Sequence, residues 1–269
     1  MLGMKLVGSM SHNNDPMNLS GKTIVVVGAS AGLGRETALL LSQLGGRLVL
    51  LARRKDVLEE VLEALSGDGH CSITCDVSEF STLPSVWEEV VEQVGTVDGL
   101  VYCPASQKVQ GLRFITQESL LTSMQVGVEA ASILIECFAE SASQNKHGGS
   151  VVLLSSVSAY VGQPGFSVYA ASKGAVEALS RRMARRYISE QIRVNCVVPS
   201  QVLTESAQEL QRNLTPEQWD AFEKRHPLGF GTPQDIAQSI GFLIADTGRW
   251  ITGTSLVVDG GYLASSHVG

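Results

Sequence analysis

The sequence predicts an α/β protein: one doubly wound domain with a parallel sheet covered by helices on both faces. Three observations carry that expectation. Apolar, β-branched runs alternate with helical segments seven times with no linker between them. The first run, Thr23-Ile24-Val25-Val26-Val27, is continuous and β-branched, as a strand buried on both faces requires. The first run also passes directly into a glycine turn and then a helix, in Gly28-Ala29-Ser30-Ala31-Gly32-Leu33-Gly34.

Taken in order, residues 1–18 contain Asn13-Asn14-Asp15-Pro16 and read as a loose tail, leaving 19–269 for the domain. Thr23–Val27 is the first strand. The helix after the glycine turn is periodic from Thr37 to Leu44 and stops at Gly45-Gly46. Arg47–Leu51 is the second strand and Asp56–Leu65 a helix. Cys71–Cys75 is the third strand, ending at Asp76-Val77, and a helix follows over Ser81–Val94. Asp98–Tyr102 is the fourth strand, followed by one long helix over about Gln117–Ser143. Ser150–Leu154 is the fifth strand and delivers Ser155 and Ser156 at its C-terminal end, where ligands sit in open α/β sheets. A helix around Tyr169 and Lys173 leads to a sixth strand, Ile192–Val198. Two short helical pieces between Thr204 and Lys224, a helix over Pro233–Ala245 and a last strand, Ser255–Val258, complete the chain.

Two features point to chemistry. A strand, a glycine turn and a helix N-terminus together make a phosphate cradle, because glycines let the backbone approach a pyrophosphate and the helix end offers free N–H groups. Past the second strand, where an acid would bind the ribose of NAD, stand Ala52-Arg53-Arg54, with no acid before Asp56. Arginine forks suit a 2′-phosphate, so NADP is the expected cofactor. The second feature is Tyr169, four residues before Lys173 on one helix face and thirteen after Ser156. A nearby ammonium favours the phenolate, which makes an acid/base of the tyrosine, and Ser156 can hold a carbonyl oxygen.

Composition narrows the partners. Of 269 residues 44% are hydrophobic and 17% charged, enough to bury a full core. The net charge of −7, without a basic run, argues against nucleic acid or an anionic membrane. No uninterrupted apolar run approaches the roughly 18 residues of a membrane span, and the short apolar start reads as no signal peptide, so a cytoplasmic location is expected. The five cysteines read as buried free thiols; Cys71 and Cys75 have no second pair to complete a metal site.

The order Gly28-x-x-x-Gly32-x-Gly34, Asp76-Val77, Ser156, Tyr169-x-x-x-Lys173, Asn195-x-Val197-x-Pro199 and Thr252-Gly253…Asp259-Gly260-Gly261 resembles the compact branch of the short-chain dehydrogenase/reductases. The likeness runs from about Leu19 to Tyr262 and is greatest to 3-oxoacyl-carrier-protein reductases and related NADPH carbonyl reductases. It implies a Rossmann-type sheet of order 3-2-1-4-5-6-7. It also implies roles: Tyr169 as general acid, Lys173 lowering its pKa and holding the nicotinamide ribose, Ser156 on the substrate oxygen. Gly28, Ser30, Gly32, Leu33 and Gly34 would border the pyrophosphate, Arg53 and Arg54 the 2′-phosphate, and Asp76 and Val77 the adenine. Val202 and Thr204 would touch the nicotinamide end, and Cys103 would also border the cofactor. The implied reaction interconverts a carbonyl and a secondary alcohol, in a homo-oligomer, tetramer or dimer. A pathway-specific dehydrogenase of a cyclic or sugar-like alcohol and an NADP-binding regulatory protein are the alternatives.

Four positions depart from the family pattern. Val27 replaces a threonine, Tyr102-Cys103-Pro104-Ala105 replaces Asn-Asn-Ala-Gly, Gly127 replaces an asparagine that supports the proton path, and Ser200 replaces a glycine. Three further features stay open. Arg181, Arg182, Arg185 and Arg186 are a docking patch for a carrier protein or simply cations at a helix end. His226 is a base or part of a loop. Trp219, Phe222 and Phe230 form a lid over an apolar substrate or pack the helices. Substrate contacts are expected near Gln107, Tyr160, Phe166 and residues 204–210.

Overall fold

Strand β1 (Thr23–Val27) is buried over all five residues, and its alternate side chains feed two different cores. Val25 and Val27 point to one layer and Ile24 and Val26 to the other, which is why Ile24–Val27 carries no polar position. The computed structural model describes residues 15–106, 109–142, 148–212 and 214–265. Most of the expected tail, Gln107, and the proposed helix end at Ser143 lie outside the described residues.

The other strands are β2 (Arg47–Ala52), β3 (Cys71–Thr74), β4 (Gly99–Tyr102), β5 (Gly149–Leu154), β6 (Ile192–Pro199) and β7 (Ser255–Val258). They form one parallel sheet in the order β3-β2-β1-β4-β5-β6-β7, as expected. Helices α1 (Gly32–Gln43), α2 (Lys55–Glu63) and α9 (Pro233–Ile244) cover one face, burying Leu41, Leu58, Val61, Ile236 and Ile240. Helices α3 (Leu83–Val94), α5 (Ala130–Ala142) and α6 (Ser167–Arg186) cover the other, where Trp87 meets Phe138 edge-on. Helices α4 (Gln117–Met124), α7 (Glu205–Arg212) and α8 (Pro216–Glu223) complete the set. After β3 the chain crosses over β1 to begin β4, so the strand order reverses between β1 and β4. The crevice of a doubly wound sheet opens at that switch point, above the C-terminal ends.

Two helices differ from expectation. The first begins at Gly32, not Thr37, so the glycine turn itself supplies the first helical turn. The long helix after β4 is broken: Gln125–Glu129 form a π-helical segment between α4 and α5. The cause is local. Gly127 weakens the helix, and the hydroxyl of buried Tyr102 takes the Val126 carbonyl at 2.5 Å. By length and mean hydropathy alone, 26 residues at 1.3, Gln117–Ala142 could cross a membrane. Here Ala130, Leu134, Phe138 and Ala142 of that stretch are built into the core against the sheet.

Candidate active site

The cradle is formed where β1 meets α1. Gly28 continues the sheet by donating its N–H to Leu51 O at 2.8 Å, and its φ of +81° turns the chain out of the strand. Gly34 then packs on that turn so closely that a Cβ would lie 2.2 Å from Gly28 O. No side chain caps α1 and its first turn carries no acid. Helices α4, α8 and α9 instead have their N-termini closed by Thr116, Thr215 and Thr232. The free N–H groups of α1 and its positive dipole end therefore face the crevice with no side chain closing them, and these residues fit a dinucleotide's pyrophosphate.

Arg54 Nη2 donates to Ser30 Oγ at 3.3 Å, bringing its guanidinium to the rim of the glycine turn. Arg53 is well exposed, 3.9 Å from Asp76 Oδ2. Asp76 accepts from Ser78 N and Oγ at 2.9 and 2.7 Å. Burial opposes its ionisation, but those bonds and Arg53 keep its carboxyl below the usual range. Val77 is buried beside it. Thr204 sits over the cradle: a Cβ at Gly32 would lie 3.9 Å from its methyl group and from Glu205 Oε2. Val202 is buried and bridged to Gly231. Cys103 extends β4 by donating its N–H to Val27 O at 3.1 Å, and burial pushes its thiol up to about 12.

The candidate acid/base set lies at the C-terminal end of β5 and on the first turns of α6. Ser156 ends the strand and opens a 3-10 turn, Val157–Ala159, whose Ser158 N–H its Oγ accepts at 3.2 Å. Its hydroxyl is also within hydrogen-bonding reach of the Tyr169 phenol. Lys173 is 2% exposed, donates from Nζ to Leu154 O at 2.6 Å, and lies 5.6 Å from the Tyr169 ring centre. The expected depression of the phenol's pKa by Lys173 is not seen. Burial raises Tyr169 and the bond to Ser156 offsets only part of that rise. The ammonium is spent on the Leu154 carbonyl, and burial lowers Lys173 itself to about 8. Tyr169 is thus held protonated at neutral pH, as a proton donor must be.

A family model described as enoyl-(acyl carrier protein) reductase matches residues 28–263. Carbonyl reductase family member 4 of Danio rerio is 33% identical over 88% of this chain and 96% of its own. The 3-oxoacyl-[acyl-carrier-protein] reductase of Bos taurus is 32% identical over 89% and 97%. The chain belongs to the short-chain dehydrogenase/reductase family. Among solved structures, one provisionally described as an NAD(P)-dependent gluconate 5-dehydrogenase from Beutenbergia cavernae, with NADP bound at low occupancy, superposes with a TM-score of 0.85. That protein is 27% identical, over 93% of this chain and all of that one.

Several residues of the family pattern are structural. Asn195 is fully buried on β6, donating to Ile251 O at 3.0 Å and accepting from Thr254 N at 3.1 Å, while Thr252 Oγ1 accepts from Val194 N. These bonds bind the approach to β7 onto β6. Asp259 closes the final turn by accepting from Gly261 N and Leu263 N at 2.8 Å each. The departures are absorbed too. Ser200 donates to His226 Nε2 at 2.8 Å, and His226 Nδ1 donates to Phe222 O at 3.1 Å. A carbonyl can only accept, so Nδ1 carries a proton; burial lowers the ring's pKa. His226 is therefore a strut, stacked on Tyr262 and edge-on to Phe222 and Phe230. Trp219 joins Phe222 and Phe230 in that cluster, which holds α8 to the following loop. Along α6, Arg181 reaches Glu177 and Arg186 reaches Glu190. Sequence reasoning missed Glu177, a buried acid one turn beyond Lys173. An acid on the apolar side of a helical period was the available signal.

Proposed function

We propose that the protein is an NADP(H)-dependent oxidoreductase that interconverts a carbonyl and a secondary alcohol, with Tyr169 as general acid and base. The observation that carries this reading is the convergence of Ser156, Tyr169 and Lys173 at the strand ends beside the cradle made by Gly28, Gly32 and Gly34. NADP(H), when bound, supplies or accepts the hydride. Everything else falls to the chain. Ser156 Oγ and the Tyr169 hydroxyl bond the substrate oxygen from one side. As negative charge develops there, Tyr169 gives up its proton to the substrate oxygen, and Lys173, one turn along the helix, would hold the nicotinamide ribose. A phenol kept protonated by burial favours reduction at neutral pH, and oxidation gains as pH rises. Arg54, at the rim beside Ser30, supports NADP over NAD.

The substrate class that fits this reading is a ketone or a 3-oxoacyl group. The likeness to the Beutenbergia cavernae dehydrogenase favours a sugar-like alcohol as the second possibility. Tyr169→Phe tests the proposal, because it removes the proton donor and leaves the cradle intact. NADPH oxidation with a panel of ketones should fall about 10²- to 10⁴-fold while NADPH binding is kept. Undiminished turnover would reject the assignment.

A further inference from the structure

Glu177 is 5% exposed, and nothing in the chemistry above uses it. Its carboxylate is surrounded by hydroxyl donors from three different parts of the chain. Oε1 accepts from Ser155 Oγ at 2.8 Å, at the end of β5. Oε2 accepts from Tyr160 OH at 2.5 Å, in the β5–α6 loop, and from Ser255 Oγ at 2.9 Å, on β7. Arg181 Nη1 lies 3.9 Å away on the helix surface. Ser155 Oγ also reaches the Lys173 carbonyl at 3.2 Å, and Lys173 Nζ holds the Leu154 carbonyl. Successive turns of α6 therefore hold the residues on the N-terminal side of Ser156, and Tyr160 ties down the turn on its C-terminal side.

An apolar side chain would fill this space without desolvating a charge. What the carboxylate adds is direction, since it bonds only hydroxyls placed at its two oxygens. Tyr160 closes the turn that Ser156 opens: Ala159 N donates to Ser156 O and Tyr160 N to Val157 O. Release of the phenol would free that turn to shift.

We propose that Glu177 is a positioning residue that clamps the β5–α6 loop, through Tyr160, to the helix carrying Tyr169 and Lys173, and so sets Ser156 against Tyr169. The inference rests on the reading of Ser156 and Tyr169 as the groups that meet the substrate oxygen. Tyr160 is 51% exposed, so Tyr160→Phe removes the loop's bond with little risk to folding. Three variants test the clamp: Tyr160→Phe, Glu177→Gln and the double substitution. Each single change should lower kcat for carbonyl reduction about tenfold, leaving KM and the NADPH dissociation constant within twofold. The double variant should lose no more, because both act through one contact. Amide hydrogen exchange at residues 158–161 should be at least tenfold faster in Tyr160→Phe. Unchanged exchange would overturn the clamp, and so would additive losses with a raised KM, the mark of a Tyr160 that touches substrate directly. If Tyr169→Phe keeps full turnover, the reading of the site fails, and the exchange rates still decide whether the clamp exists.

Discussion

Alanine at Gly34 tests the cradle at its tightest point. A Cβ there would lie 2.2 Å from the Gly28 carbonyl oxygen and 2.8 Å from its carbon, where ordinary contact begins at 3.4 Å. The glycine turn and the first turn of α1 must therefore part by more than about 1 Å. Both contacting groups are backbone, so no side-chain rotation can relieve the overlap. Overpacking of this kind costs roughly 1–3 kcal/mol. If relief comes from opening the cradle, NADPH affinity falls roughly 5- to 150-fold, at about 1.4 kcal/mol per decade. Fluorescence titration with NADPH, paired with a thermal melt, reads both consequences. Gly174→Ala is the control. On α6, nothing lies within 4 Å of its Cβ position, so helix propensity should stabilise the fold by up to about 1 kcal/mol without changing affinity. A Gly34→Ala protein that bound and melted like the wild type would refute the account of why glycine stands there.

Three other perturbations follow from the same geometry. Arg54→Ala should weaken NADPH by roughly 10- to 100-fold, the worth of a charge-assisted bond, and leave NADH nearly untouched; equal losses for both would remove Arg54 from the 2′-phosphate. Lys173 is lowered from 10.5 to about 8, so between those values the unfolded chain binds the extra proton and the lysine's contribution to stability rises with pH. Measured against Lys173→Met by urea unfolding across that window, the gain should be about 3 kcal/mol. The comparison matters because the raised thiols of Cys75, Cys103 and Cys196 act in the opposite sense above pH 9; a flat difference would contradict a buried lysine that titrates early. Tyr102→Phe should destabilise by about 1–3 kcal/mol by leaving the Val126 carbonyl buried without its donor; an unchanged urea midpoint would show that the π segment does not depend on that hydroxyl.

The strands were legible because two-sided burial writes an apolar run, which β1 shows from Ile24 to Val27, β2 from Leu48 to Ala52 and β5 from Val151 to Leu154. The cradle was legible because a close backbone approach tolerates only glycine, as Gly34 demonstrates against Gly28. The start of α1 was harder to read. Glycines look like a turn in a propensity argument, and only packing against the turn makes them helical. The break at Gln125–Glu129 was only partly legible: Gly127 lies within it, but Tyr102, which bonds the Val126 carbonyl, comes more than twenty residues earlier.

The site divides along the same line. From residue order alone come the doubly wound sheet, the phosphate cradle, the spacing of Tyr169 and Lys173, and Ser156 at a strand end, because each is encoded by local periodicity or by a residue type with few substitutes. Tertiary structure alone decided the rest. It gave Arg53 and Arg54 different partners, raised the Tyr169 phenol where a lowered one was expected, made His226 a strut, and gathered Ser155, Tyr160 and Ser255 around Glu177. These outcomes depend on which groups from distant segments share a dry space, and desolvation and hydrogen bonding across such a space leave no local pattern in the chain.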